Sequence, residues 1–197
     1  MPHRAAAGVA QEFKECIKMR EATWEMATLD WNLDGLDGER VTPADVENLI
    51  YAETEEQAIE AKYELMEIMG INGWLYPCAV TVVKTVLAVL PRCSPVVREQ
   101  CLHLLGMAVS SESAPGSGNV AEACLAEIRN STWYFLHGLQ FDDVDQVAGY
   151  VDILGCLGLA FDDLTDTVEQ YLRLALTRNL PDYDVVMTNN TINELRK

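Results

Sequence analysis

A chain of 197 residues, 49% apolar and 23% charged, is long and hydrophobic enough to bury one substantial core. Its 31 Asp and Glu against 14 Lys and Arg leave a net charge of -17. Nucleic acid and anionic membrane both need a basic surface, so this charge argues against either as a ligand and suits a basic protein partner.

The opening stretch, Met1 to Gln11, has one Arg and a short Ala-rich run, too brief and too weakly apolar for a signal peptide. The longest apolar stretch, Leu75 to Leu90, is interrupted by Lys84 and is shorter than a membrane span. Both point to the cytoplasm. A helix is expected over 8–28, with Phe13, Ile17, Trp24 and Met26 turned to the core. Trp24 and Trp31 would pack it on the helices that follow, making residues 1–40 an N-terminal capping helix and turn. Asp30-Trp31-Asn32-Leu33-Asp34-Gly35 matches the first half of a calcium loop, but Asp37 and Val41 stand where an apolar residue and a bidentate Glu are needed. The segment reads as a Gly/Asp turn, with no metal.

Thr42-Pro43 opens the next helix, as cap and first-turn proline, and it runs to about Tyr51. Thr54-Glu55-Glu56-Gln57 is a capping box for a helix that buries Ala58, Ala61, Leu65 and Ile68 and stops near Gly70. After the loop Ile71-Asn72-Gly73 comes a helix striped by Leu75, Ala79, Val82, Val83, Val86 and Leu90, ended by Pro91. Ser94-Pro95 starts another, with Val97, Cys101, Leu104, Leu105 and Ala108 inward. Ser110 to Gly118 is rich in Ser, Gly and Pro and reads as an exposed flexible loop. One long helix is expected over 119–139, then helices over 143–158, 163–178 and, more weakly, 184–195. No alternating strand is evident.

Phe141-Asp142-Asp143-Val144 and Phe161-Asp162-Asp163-Leu164 recur twenty residues apart, each read as a helix start. Helices of this length with short connections fit antiparallel pairs stacked side by side. The expected fold is therefore all-α, one domain over 1–197. It would be an α-solenoid whose array spans 42–178, followed by a C-terminal helix or tail over 179–197.

Catalytic patterns are poor. His3, His103 and His137 are far apart, and no phosphate loop, nucleophile elbow or zinc spacing occurs. The cysteines, Cys16, Cys78, Cys93, Cys101, Cys124 and Cys156, include no C-x-x-C and read as reduced and mostly buried. Asp142/Asp143 and Asp162/Asp163 serve more simply as caps and helix-dipole partners than as acid/base pairs. Neither a catalytic residue nor a cofactor is expected.

The acidic charge is gathered in two places. Residues 41–73 hold eight Asp and Glu against one Lys, and residues 141–170 hold eight with no Lys or Arg. Solubility alone is the plain explanation. A functional one makes Glu53, Glu55, Glu56, Glu60 and Glu64, with Asp142, Asp143, Asp145, Asp162, Asp163 and Asp166, the contact for a basic partner. Trp74, Tyr76, Trp133 and Tyr134 would add aromatic anchors, unless they pack between helices instead.

Ile68 to Leu105 reads IMGINGWLYPCAVTVVKTVL, then PRCSPVVREQCLHLL after an Ala-Val-Leu link. With Gly73, Tyr76, Ala79, Arg98, Leu102, Leu104 and Leu105 in place, it resembles the bacterial HEAT-repeat immunity proteins that accompany secreted polymorphic toxins. Where members of that family carry Gln-Gly-Thr before the Tyr, this chain has Asn72-Gly73-Trp74-Leu75. The resemblance covers residues 42–178 and implies HEAT-like repeats that bind and neutralise a cognate toxin, without catalysis or cofactor. A helical-repeat scaffold or adaptor for an endogenous protein is the alternative. The sequence does not set the oligomeric state.

Overall fold

Hydroxyl caps start the helices where the sequence places them. In the computed structural model, which describes residues 26–197, α1 (Pro43–Ile50) begins behind Thr42, whose amide donates to the Asp45 carboxylate at 2.7 Å. The capping box of α2 (Glu55–Met69) is complete: the Gln57 amide donates to the Thr54 hydroxyl, and the Thr54 amide to Gln57 Oε1, each at 3.3 Å. α3 (Cys78–Val89) follows, then α4 (Pro95–Val109), where the Val97 amide donates to Ser94 Oγ at 3.4 Å.

The helix expected over 119–139 is two, α5 (Val120–Asn130) and α6 (Thr132–Phe141), and the second runs on to Phe141. The break has a local cause. Thr132 Oγ1 donates to the Arg129 carbonyl at 2.6 Å, so a side chain competes for a helical acceptor, and Ser131 turns to φ -100, ψ 8. α7 (Val147–Ala160), α8 (Asp162–Ala175) and α9 (Asp182–Glu194) complete the described chain. The capping role expected of the aspartates is corrected. Asp143 leads only into a short 3-10 turn without a side-chain bond, while Phe161 holds the cap position of α8. Asp162 and Asp163 stand in the first turn of α8, where the helix dipole favours their charge.

The expectation of no strand is also corrected. β1 (Gly70–Ile71) and β2 (Trp74–Leu75) form a hairpin across Asn72-Gly73, both at positive φ (52° and 81°), and β3 (Glu112–Ser113) joins β2 in parallel. Two-residue strands leave no alternation to detect. β3 also ties down the Ser/Gly/Pro loop: Ala114 is buried and its amide donates to the Leu75 carbonyl at 2.9 Å.

Helix packing follows two rows. In one, α2 meets α4, α4 meets α7 and α7 meets α9; in the other, α1 meets α3, α3 meets α5, and α6, which follows α5, meets α8. Consecutive helices then bridge the rows, as α1 does with α2 and α7 with α8. α7 lies deepest, with Tyr150, Val151, Ile153, Leu154 and Leu157 fully buried. Cys78, Cys93, Cys101 and Cys124 are buried and Cys156 is half-buried. Residues 8–25 of the expected helix, with Phe13, Ile17 and Trp24, and Cys16 and His3 lie outside the described residues, while Met26 is buried. Trp31 packs against the core, and its indole N–H donates to the Met26 carbonyl at 2.7 Å.

Candidate partner-binding surfaces

The early acids lie along α2, whereas the late acids lie in the turn between α6 and α7 and at the start of α8. Glu53 precedes α2, and Glu55, Glu56, Glu60 and Glu64 lie along it, all exposed and none ion-paired among the described residues. Lys62, the lone cation of that segment, is buried along its stem and sits 4.0 Å over the Tyr63 ring. Glu60 and Glu64 share a shallow depression with Glu47, Tyr51 and Gln57. No substantial packing links α1 or α2 to α7, α8 or α9, so the helices that carry the early acids do not pack on those that carry the late ones.

Within the late region the acids divide by their partners. Asp142 is half-buried and engaged from several sides. Its carboxylate lies 3.0 Å from Arg98 Nη1 and accepts the Tyr150 hydroxyl. Its carbonyl accepts from Arg178, which also donates to the Leu139 carbonyl at 2.6 Å. Arg98 Nη2 in turn donates to the Cys93 carbonyl at 3.2 Å. Burial, then the bond to Asp142, pushes the Tyr150 phenol well above its ordinary value. This is a clamp between the start of α4, the end of α6 and the first turn of α7. Asp142 is thereby corrected from a free contact to a structural residue.

Asp143, Asp145, Asp162 and Asp166 remain exposed. Asp163 is exposed too, but accepts from Arg129 Nη2 at 2.7 Å, and Arg129 lies 4.2 Å over the Phe161 ring. Two internally similar segments thus have different fates. Phe141 ends a helix and is 74% exposed, whereas Phe161 precedes one and is half-buried under an arginine.

Of the aromatic anchors expected, Trp74 is partly exposed on β2, while Tyr76 is half-buried against the core. Tyr134 is half-buried as well, its hydroxyl donating to the Leu90 carbonyl at 3.4 Å. Trp133 is different. It is 69% exposed and begins a stripe along α6 at four-residue intervals, Trp133, His137 and Phe141. His137 stacks on Phe141 with ring centres 4.7 Å apart, and Trp133 meets the edge of Tyr171 on α8 at 6.4 Å. Leu174, one turn beyond Tyr171, is also exposed. Arg129 meets Asp163 at one end while Arg178 reaches Leu139 and Asp142 at the other, so α8 runs alongside α6 in the same direction. The Asp162–Asp166 turn therefore borders the Trp133 end of the stripe, and Asp143 borders the Phe141 end.

His137 and Phe141 are the residues that sequence reasoning missed as members of this face. Their spacing from Trp133 was the available signal. It is hidden once Phe141 is read as the start of the next helix.

The Asp30–Gly35 turn is held by protein partners: the Asn32 amide donates to Asp30 at 2.9 Å, and Arg40 pairs with Asp34 at 3.2 Å. Among the described residues no helix is long and apolar enough to cross a membrane. No protein-family model, curated protein or solved structure matches the chain.

Proposed function

We propose that this chain is an immunity protein of the HEAT-repeat kind, an α-solenoid acting in the cytoplasm, that captures a cognate cationic toxin domain. The observation that carries the reading is the solvent-facing stripe Trp133, His137 and Phe141 on α6, with exposed Asp143 two residues past Phe141 and exposed Asp162 and Asp166 at the start of the neighbouring α8. Large aromatics left in water forgo about 1.5–3 kcal/mol each that burial would supply, and a run of them marks a docking face. Carboxylates near such a face steer a basic partner toward it, and the aromatics then hold it. Covering the toxin's cationic active site, or the path to it, neutralises the toxin without any chemical step by this chain. The two-row helix packing supports the solenoid reading, because each helix pair needs a neighbour to cover its apolar side. The exposed glutamates of α2, with Trp74, offer a second acidic contact for a partner large enough to span both regions.

Co-expression with the product of the adjacent gene tests the proposal. The wild-type chain should restore growth and co-purify with that product, and W133A/F141A should do neither while remaining folded. Capture of the neighbouring product by the double variant at wild-type strength would overturn the assignment of the face. A neighbour that is harmless and unbound would leave the scaffold alternative in place of the immunity reading.

A further inference from the structure

Between α4 and α7 runs an open groove of about 430 Å³, lined by Leu102, His103, Gly106, Met107, Asp152 and Cys156. Gly106 is its unexplained floor. Every other described glycine either has positive φ or has a protein atom within 3.0 Å of where a Cβ would stand. At Gly106 nothing lies within 4 Å of that point, and φ is not positive. A glycine inside a helix costs about 1 kcal/mol relative to alanine, and here the fold obtains no close approach in return. The empty space faces outward, into the groove.

Asp152 stands on the groove wall with no Lys or Arg partner among the described residues, and His103 is the group whose charge favours its ionisation. Burial opposes that ionisation more strongly and raises the Asp152 carboxyl. An apolar floor beside an exposed carboxylate that has no Lys or Arg partner among the described residues is complementary to a long side chain ending in a cation.

We propose that this groove receives an arginine side chain of a protein partner, its aliphatic stem over Gly106 and Met107 and its guanidinium on the Asp152 carboxylate. Arginine fits better than lysine because its planar fork can give a carboxylate two parallel N–H bonds. The site belongs to the row of α2, α4, α7 and α9, away from the α6 stripe, and does not depend on what that stripe binds.

The full-length, isotope-labelled chain is titrated with the blocked tripeptide Ala-Arg-Ala and followed by amide NMR shifts. Shifts are expected at Gly106, Met107, Asp152 and Cys156, at least tenfold weaker binding in D152N, and no binding in G106L. Because leucine is a better helix former and meets open space, G106L should melt no lower than wild type, which separates occlusion from misfolding. The same tripeptide carrying citrulline should not shift these amides. Undiminished binding by either variant, equal binding of citrulline or lysine peptides, or shifts confined to α2 would overturn the proposal.

Discussion

The Arg98 guanidinium stands 3.0 Å from the Asp142 carboxylate, and both side chains are only about one-fifth exposed (18% and 20%). The pair connects α4 to the turn that leaves α6. Removing the carboxylate strands a half-buried cation and the Tyr150 hydroxyl together. Asp142→Ala is therefore expected to lower the unfolding free energy by about 3 kcal/mol. Asp143→Ala, one residue on and exposed, should change it by less than about 0.5 kcal/mol. Urea denaturation of the two variants makes the comparison, and equal losses would refute the clamp.

Two glycines should respond in opposite directions to the same substitution. A Cβ at Gly138 would lie 2.3 Å from Tyr150 Cζ in the buried centre, so Gly138→Ala is expected to cost about 1–3 kcal/mol. At Gly106 the same change meets open space and should add about 0.5–1 kcal/mol. Thermal melts read both signs directly.

Trp133→Ala and Phe141→Ala should each weaken the partner complex about 30-fold, which corresponds to about 2 kcal/mol, without lowering the melting temperature. Charge reversal at Asp162 and Asp166 should act on a different quantity, slowing association and flattening its salt dependence. Surface plasmon resonance at several ionic strengths separates the two effects. An unchanged association rate would remove the α8 turn from the contact.

Asp184 makes stability depend on pH. Burial, then the Asp145 charge, holds its carboxyl above the ordinary 3.8. The folded chain thus binds this proton more tightly than the unfolded chain does. The cost of ionising Asp184 is absent below pH 3.8, appears as pH rises through the raised value, and is complete above it. Asp184→Asn should accordingly be more stable than wild type at pH 7 and lose that advantage on acidification toward 3.8. Glu169 works the other way. Hydrogen bonds from Arg196 and Arg173 lower its carboxyl below 4.5, so its contribution is present above 4.5 and is lost as pH falls through the lowered value. Melting curves of wild type, Asp184→Asn and Glu169→Gln from pH 3 to 7 should therefore diverge in opposite senses.

Local signals in the chain were reliable where the interaction they announce is itself local. Thr54 and Gln57 are three residues apart, and their reciprocal bonds need nothing from elsewhere. The stripes of α3 and α4 likewise report burial, because 3.6-residue periodicity is a property of the helix alone. The hairpin and β3 were not legible, since Trp74 and Glu112 pair only after α4 has brought the Ser/Gly/Pro loop beside the hairpin. Nor was the difference between Phe141 and Phe161, or between Asp142 and Asp162. Identical Phe-Asp-Asp triplets acquire their environments from Arg98, Tyr150 and Arg129, which lie far from them in sequence or on another helix.

By itself the sequence determined the helical class, the caps that start α1, α2 and α4, the burial of most described cysteines and the net charge, all of which depend on composition or on neighbours within one turn. Only the tertiary structure decided which carboxylates remain free and which aromatics face water. It also decided that the helices carrying the two acidic segments do not pack substantially on each other. Partnering and exposure arise when helices distant in sequence pack, and no short-range pattern encodes that geometry.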